Sequence, residues 1–199
     1  MSTDTNPATT LPARTSRASG IYPGHVIGAS FGVVFVIANT ALLGQPAQLV
    51  IGALGVVAAV VVVAGFIATI RRGGRPPAQD LARSHVAFWV IVAIEAALLF
   101  GGLAVLNRIE PAANVGWIAL IVGLHFLAFA LWWVRGQREL LVVGAVMASL
   151  GAIGLVIAFT THDAALVQLV AGFGSGLVLL GTSTATAVRV LTGGGAPAA

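Results

Sequence analysis

Two ionisable side chains stand where such groups are costly. Glu95 interrupts the run Phe88-Trp89-Val90-Ile91-Val92-Ala93-Ile94-Glu95-Ala96-Ala97-Leu98, and His125 interrupts Ile118-Ala119-Leu120-Ile121-Val122-Gly123-Leu124-His125-Phe126-Leu127. A carboxylate or an imidazole inside lipid must face protein, water or another polar group. Together the two form a proton donor–acceptor set. Burial raises a carboxyl pKa and lowers an imidazole pKa, while pairing acts the other way, so a proton could be shared between them. Such a pair can carry a proton or hold a cation midway across a membrane. The same contact can also serve only as an interhelical clasp, worth roughly 1–2 kcal/mol.

The elements carrying these residues must be membrane-spanning helices. The chain has 199 residues, of which 58% are hydrophobic and 8% charged, against about a quarter charged in soluble domains. The mean hydropathy is +1.02. The apolar runs are continuous over about 20 residues, which suits helices; barrel strands would alternate over about 10. The expected fold is all-α, a polytopic bundle of six transmembrane helices filling residues 23–190. Residues 1–22, rich in Ser, Thr, Pro and Ala, are expected to be a disordered tail, and 191–199 a flexible one. The first apolar run reads as a signal anchor, since no small-x-small cleavage site follows it.

The expected spans run from His25 to Leu43, Leu49 to Ile70, Val86 to Leu106, Val115 to Val134, Leu140 to Phe159 and Ala165 to Val188. Gly44-Gln45-Pro46, Arg71-Arg72-Gly73-Gly74-Arg75-Pro76-Pro77, Asn107-Arg108-Ile109-Glu110-Pro111, Arg135-Gly136-Gln137-Arg138-Glu139 and Thr160-Thr161-His162-Asp163 separate them. Trp132 and Trp133 are expected as interface anchors. Gly24, Gly28 and Gly32 recur every four residues, a ridge that lets a second helix approach closely. That ridge is a candidate contact for a homo-oligomer or a partner subunit.

Arginine sets the orientation. With the N-terminus inside, the inner segments hold Arg14, Arg17, Arg71, Arg72, Arg75, Arg83, Arg135, Arg138 and Arg189, whereas the outer loops hold only Arg108. That bias places both termini in the cytoplasm and agrees with an even number of spans. The net charge of +4 is therefore read as a topology signal, with the bilayer as partner and no role for nucleic acid. The arginines around Arg71 could also meet anionic headgroups. Exclusive use of Arg over Lys, with abundant Ala, Gly and Val, suggests a GC-rich bacterial genome and hence the bacterial cytoplasmic membrane.

At 1.5 Å per residue, Glu95 lies about 14 Å into its span from the inner side, and His125 about 15 Å into the next from the outer side. Both fall near the middle of a hydrocarbon core about 30 Å thick. Ser149 and Ser175 share this depth, and Asn39 lies further out. These three are the expected supporting polar layer, although serine often only packs between helices and bonds its own backbone. Gly32-Val33-Val34-Phe35 and Gly123-Leu124-His125-Phe126 align on Gly and Phe, as an inverted three-plus-three repeat would require.

Several other chemistries lack their residues. The chain has no cysteine, which removes thiolate metal sites, disulfides and covalent haem. Ser175 lies between Gly174 and Gly176, but a serine-hydrolase elbow needs Gly where Phe173 and Leu177 stand. His25 and His85 are expected at the inner face and His125 at mid-depth, so no same-depth imidazole pair offers itself to haem. His162 is expected in the wet interface. No metal, no cofactor and no catalytic residue is expected.

The stretch Ile118 to Ala130, with its Gly-Leu-His-Phe core, resembles the fourth span of small uncharacterised six-span bacterial membrane proteins. The resemblance implies a six-span architecture and no particular activity. Two functions follow from the residues themselves. One is a small proton- or cation-coupled transporter or channel working through Glu95 and His125. The other is a non-catalytic scaffold or accessory subunit in which the pair only joins helices.

Overall fold

The computed structural model describes residues 22–73, 81–133 and 138–193. The expected tail over 1–21, the end of the second tail over 194–199, and Arg75 and Arg135 lie outside the described residues, as do the side chains of Arg83 and His85. Every described element is helical, and no strand occurs among the described residues. Helix α1 covers Pro23–Ala38, α2 Gly44–Arg71, α3 Leu81–Ile109, α4 Asn114–Ala128, α5 Arg138–Thr161 and α6 Ala164–Leu191. A π-helical turn, Phe129–Trp133, extends α4, and another, Gln168–Phe173, lies inside α6.

Five stretches are long and apolar enough to cross a membrane: Gly44–Arg71, Val86–Ile109, Pro111–Trp132, Arg138–Thr161 and Ala164–Leu191. The first expected span is shorter than its apolar run suggests. Helix α1 ends at Ala38 after 16 residues, which reach about 24 Å against a core of about 30 Å. Polar side chains account for the early stop. Asn39 donates its amide to the Phe35 carbonyl at 2.8 Å, and Thr40 donates its hydroxyl to that of Ile37 at 3.1 Å. A 3-10 turn, Ala41–Leu43, then leads to Gly44, whose φ of +71° favours glycine. Gly44-Gln45-Pro46 therefore does not break the chain but begins α2, because proline is tolerated in a first helical turn, where no internal partner is needed.

Helix α6 packs on α1, α2 and α5. Gly28 and Gly32 of the small-residue ridge are occupied by α6 within the same chain. A Cβ on Gly28 would stand 3.5 Å from the Ser183 hydroxyl, and one on Gly32 would stand 2.9 Å from the Leu180 nitrogen. Gly24 has nothing within 4 Å of such a Cβ. Gly28 and Gly32 let α1 and α6 of the same chain approach closely. The tightest seam lies between α4 and α5. A Cβ on Gly123 would stand 2.3 Å from the Ala148 nitrogen, and one on Gly151 would stand 2.2 Å from the Leu120 nitrogen. These contacts run against an inverted repeat: it would map the Gly32–α6 contact onto α4 and α3, yet Gly123 meets α5.

Helix α3 sits at the edge and packs chiefly on α4. Val86, Trp89, Ile94, Phe100 and Val105 are exposed along it, a surface suited to lipid. The turns Ala41–Leu43 and Pro111–Ala113 both touch the start of α6, so the α1–α2, α3–α4 and α5–α6 connections gather at one end of the bundle. At the opposite end, Arg72 donates a hydrogen bond of 2.7 Å to the Val190 carbonyl and so satisfies an otherwise orphaned acceptor in the last turn of α6.

Candidate functional site

Glu95 projects from the middle of α3 and His125 from the last turn of α4 before its π-helical extension. The hairpin turn at Glu110–Ala113 makes the two helices antiparallel neighbours and brings the side chains together. His125 Nδ1 lies 2.7 Å from Glu95 Oε2. The approach is close but out of line with the ring N–H, and the enclosed Nδ1 has no well-directed hydrogen bond. The contact joins side chains 13% exposed for His125 and 21% for Glu95.

The surroundings of the pair are aromatic. The Phe129 ring stands edge-on to His125 with centroids 4.0 Å apart, and Phe126 does so at 5.9 Å. Phe129 also stacks on Phe88 of α3 at 5.6 Å. Phe129 opens the π-helical turn, a local irregularity often found beside functional residues. The seam continues toward the hairpin turn. Trp117 donates its indole N–H to the Leu98 carbonyl at 3.1 Å, and Asn114 donates to the Asn107 side chain at 2.6 Å.

The expected polar layer does not join the pair. Ser149 is exposed on α5 and donates to its own helix, at the Ala145 carbonyl, over 2.8 Å. Ser175 is completely buried in α6, and its hydroxyl has no hydrogen-bond partner. Asn39 is buried at the end of α1, bonded to Phe35 and packed so closely on Gly172 that a Cβ there would stand 2.2 Å from its amide carbon. Short polar side chains reach their own i−4 carbonyl more readily than a neighbouring helix, which explains Ser149 and Asn39. Among the described residues, no third side chain hydrogen-bonds Glu95 or His125. No cluster of three or more His, Asp or Glu side chains suited to a metal forms among them either.

A second histidine–carboxylate pair is not foreshadowed by the apolar pattern of the sequence. His162 Nδ1 meets Glu110 Oε2 across the α5–α6 and α3–α4 turns. The Glu110 side chain is only 12% exposed and also accepts a bond from the Ala112 nitrogen. His162 has a φ of +56°, a left-handed conformation disfavoured for a residue with a Cβ. Asp163 follows it and caps α6 through the nitrogens of Ala165 and Leu166. The usable signal is Glu-Pro at one turn and His-Asp at another on the same side of the expected topology.

Comparison with known protein families, with curated proteins and with solved structures finds no match for this chain.

Proposed function

We propose that the chain is a non-catalytic accessory or scaffold protein of a bacterial cytoplasmic membrane, with both termini cytoplasmic and the Glu95–His125 pair fastening α3 to α4. One observation carries this reading. The pair lies in a two-helix seam, with Phe126 and Phe129 against His125 and no further polar side chain bonded to it among the described residues. A relay needs successive proton-bearing groups, and transporter sites are typically built from unwound backbone at a repeat interface. Here α3 and α4 are continuous helices at the pair. The arginine asymmetry supports the orientation, and the apolar composition supports the membrane.

Transport through the pair is the second reading, favoured by the residual exposure of Glu95. Liposomes reconstituted with wild type or Glu95→Gln separate the two under imposed pH and cation gradients. The accessory reading expects flux at the protein-free level in both, with lower thermal stability in the variant. Flux in wild type that disappears in a folded Glu95→Gln protein would establish transport instead.

A further inference from the structure

Glu95 is only half provided for. Its Oε2 faces His125, yet 21% of its side chain remains exposed and no other described side chain bonds it. Nothing in hydrocarbon can hydrogen-bond an exposed carboxyl oxygen at this depth, and a lipid headgroup lies about 15 Å away at the edge of a core about 30 Å thick. The helix bearing Glu95 is also the one that packs chiefly on a single neighbour.

We infer that the open side of the α3–α4 seam is a docking surface for a transmembrane helix of another protein, one presenting a hydrogen-bond donor at mid-depth to Glu95. The inference rests on the accessory reading and names its contact. Complementarity selects the occupant. A partner helix with an Asn, Gln or Arg near its centre supplies the donor that lipid lacks, and polar groups of this kind bond across helices in membranes. A second copy meeting the first through α3 would set Glu95 against Glu95, where a donor exists only if one carboxyl is protonated, whereas Asn, Gln or Arg brings its own donor in every case. Leu98, exposed one turn along α3 from Glu95, supplies apolar packing surface beside the polar contact.

The test uses the full chain in lipid nanodiscs with a donor fluorophore, titrated with acceptor-labelled transmembrane peptides. One peptide is a leucine–alanine helix of about twenty residues with a central asparagine; the control carries leucine there. The expected result is binding of the asparagine peptide about tenfold tighter than the control. That preference should vanish with Glu95→Gln if the charge matters and with Glu95→Leu if any acceptor suffices, while Ser149→Ala keeps it. Equal binding of both peptides, or a preference surviving in Glu95→Leu, overturns the inference. Energy transfer between two copies of the chain that displaces the peptide also overturns it, in favour of self-association. The liposome flux assay is read separately: flux defeats the accessory reading whatever the peptides do, and absent flux with absent preference defeats only the docking surface.

Discussion

Trp117 of α4 donates its indole N–H to the Leu98 carbonyl of α3 at 3.1 Å, and its ring fills the notch left by Gly102. This bond is one level of an ordered seam. Asn107 meets Asn114 nearest the turn, Leu98 meets Trp117 next, Glu95 meets His125 deeper, and Phe88 stacks on Phe129 beyond them. Lipid tails are as apolar as leucine, so burial alone gives two helices little reason to associate within a membrane. Polar bonds and close steric fit do so instead. Helix α3 is apolar along most of its length, and these contacts fix which of its faces meets α4.

Breaking the clasp from one side should be worse than removing it altogether. His125→Leu leaves the Glu95 carboxyl without its partner, at a cost of about 1–3 kcal/mol. Glu95→Leu does the converse to the imidazole. The double substitution to leucine removes both polar groups and is expected to recover most of the loss. Reversible unfolding of all four proteins in one detergent gives the coupling energy. Additive single losses would mean that the 2.7 Å contact contributes nothing.

Gly102 offers a sharper probe of the seam. A Cβ there would stand 2.1 Å from Trp117 Nε1, so the indole must move and its bond to Leu98 must break. Gly102→Ala is expected to destabilise by about 1–3 kcal/mol, the range for overpacking. At Gly101, the neighbouring residue, an added methyl group would meet nothing within 4 Å, so Gly101→Ala controls for helix propensity and should be neutral or slightly stabilising. Thermal unfolding of both variants, with Trp117→Phe for comparison, decides this. Equal behaviour of the two glycine variants would contradict the packing described.

The sequence carried the helical class and the meeting of Glu95 with His125 because both follow from strong physical constraints. Long apolar runs must be helical in lipid, and two costly groups at one depth on antiparallel neighbours have few other partners. The end of α1 was less legible, since hydropathy continues through Leu43 while the Asn39 and Thr40 side chains turn the backbone. The polar layer does not form because position along a helix does not give its facing: Ser149 is exposed on α5 and bonds its own helix. The π-helical turns left no signal in the apolar pattern, and the Glu110–His162 contact depended on the arrangement of turns.

Glycines that look alike in sequence should differ widely in their tolerance. Gly151→Ala drives a Cβ to within 2.2 Å of the Leu120 backbone nitrogen, and backbone cannot move aside as a side-chain tip can. The α4–α5 seam must then separate, with a loss of about 3 kcal/mol or more in keeping with severe overpacking. Gly24→Ala meets nothing within 4 Å and should be silent, although Gly24 belongs to the more conspicuous repeat. Monodispersity by size-exclusion chromatography and melting temperature in the same detergent check the contrast. A silent Gly151→Ala would show that the two helices are further apart than described.

His162 combines an unfavourable backbone with a favourable side-chain contact, and substitutions can separate the two. His162→Ala keeps a Cβ at a φ of +56° and loses the contact with Glu110. His162→Gly loses the same contact but removes the steric penalty of the left-handed conformation, worth about 1–2 kcal/mol per residue. The glycine variant should therefore be the more stable of the two by about 1 kcal/mol, after allowance for its greater entropy when unfolded. Glu110→Gln on each background then isolates the side-chain pair, and should cost stability only where the imidazole is present. Denaturant unfolding of these variants supplies the comparison. Should His162→Ala be as stable as His162→Gly, the backbone at this turn must relax out of the left-handed region once the imidazole is gone, and the contact with Glu110 would be what holds it there.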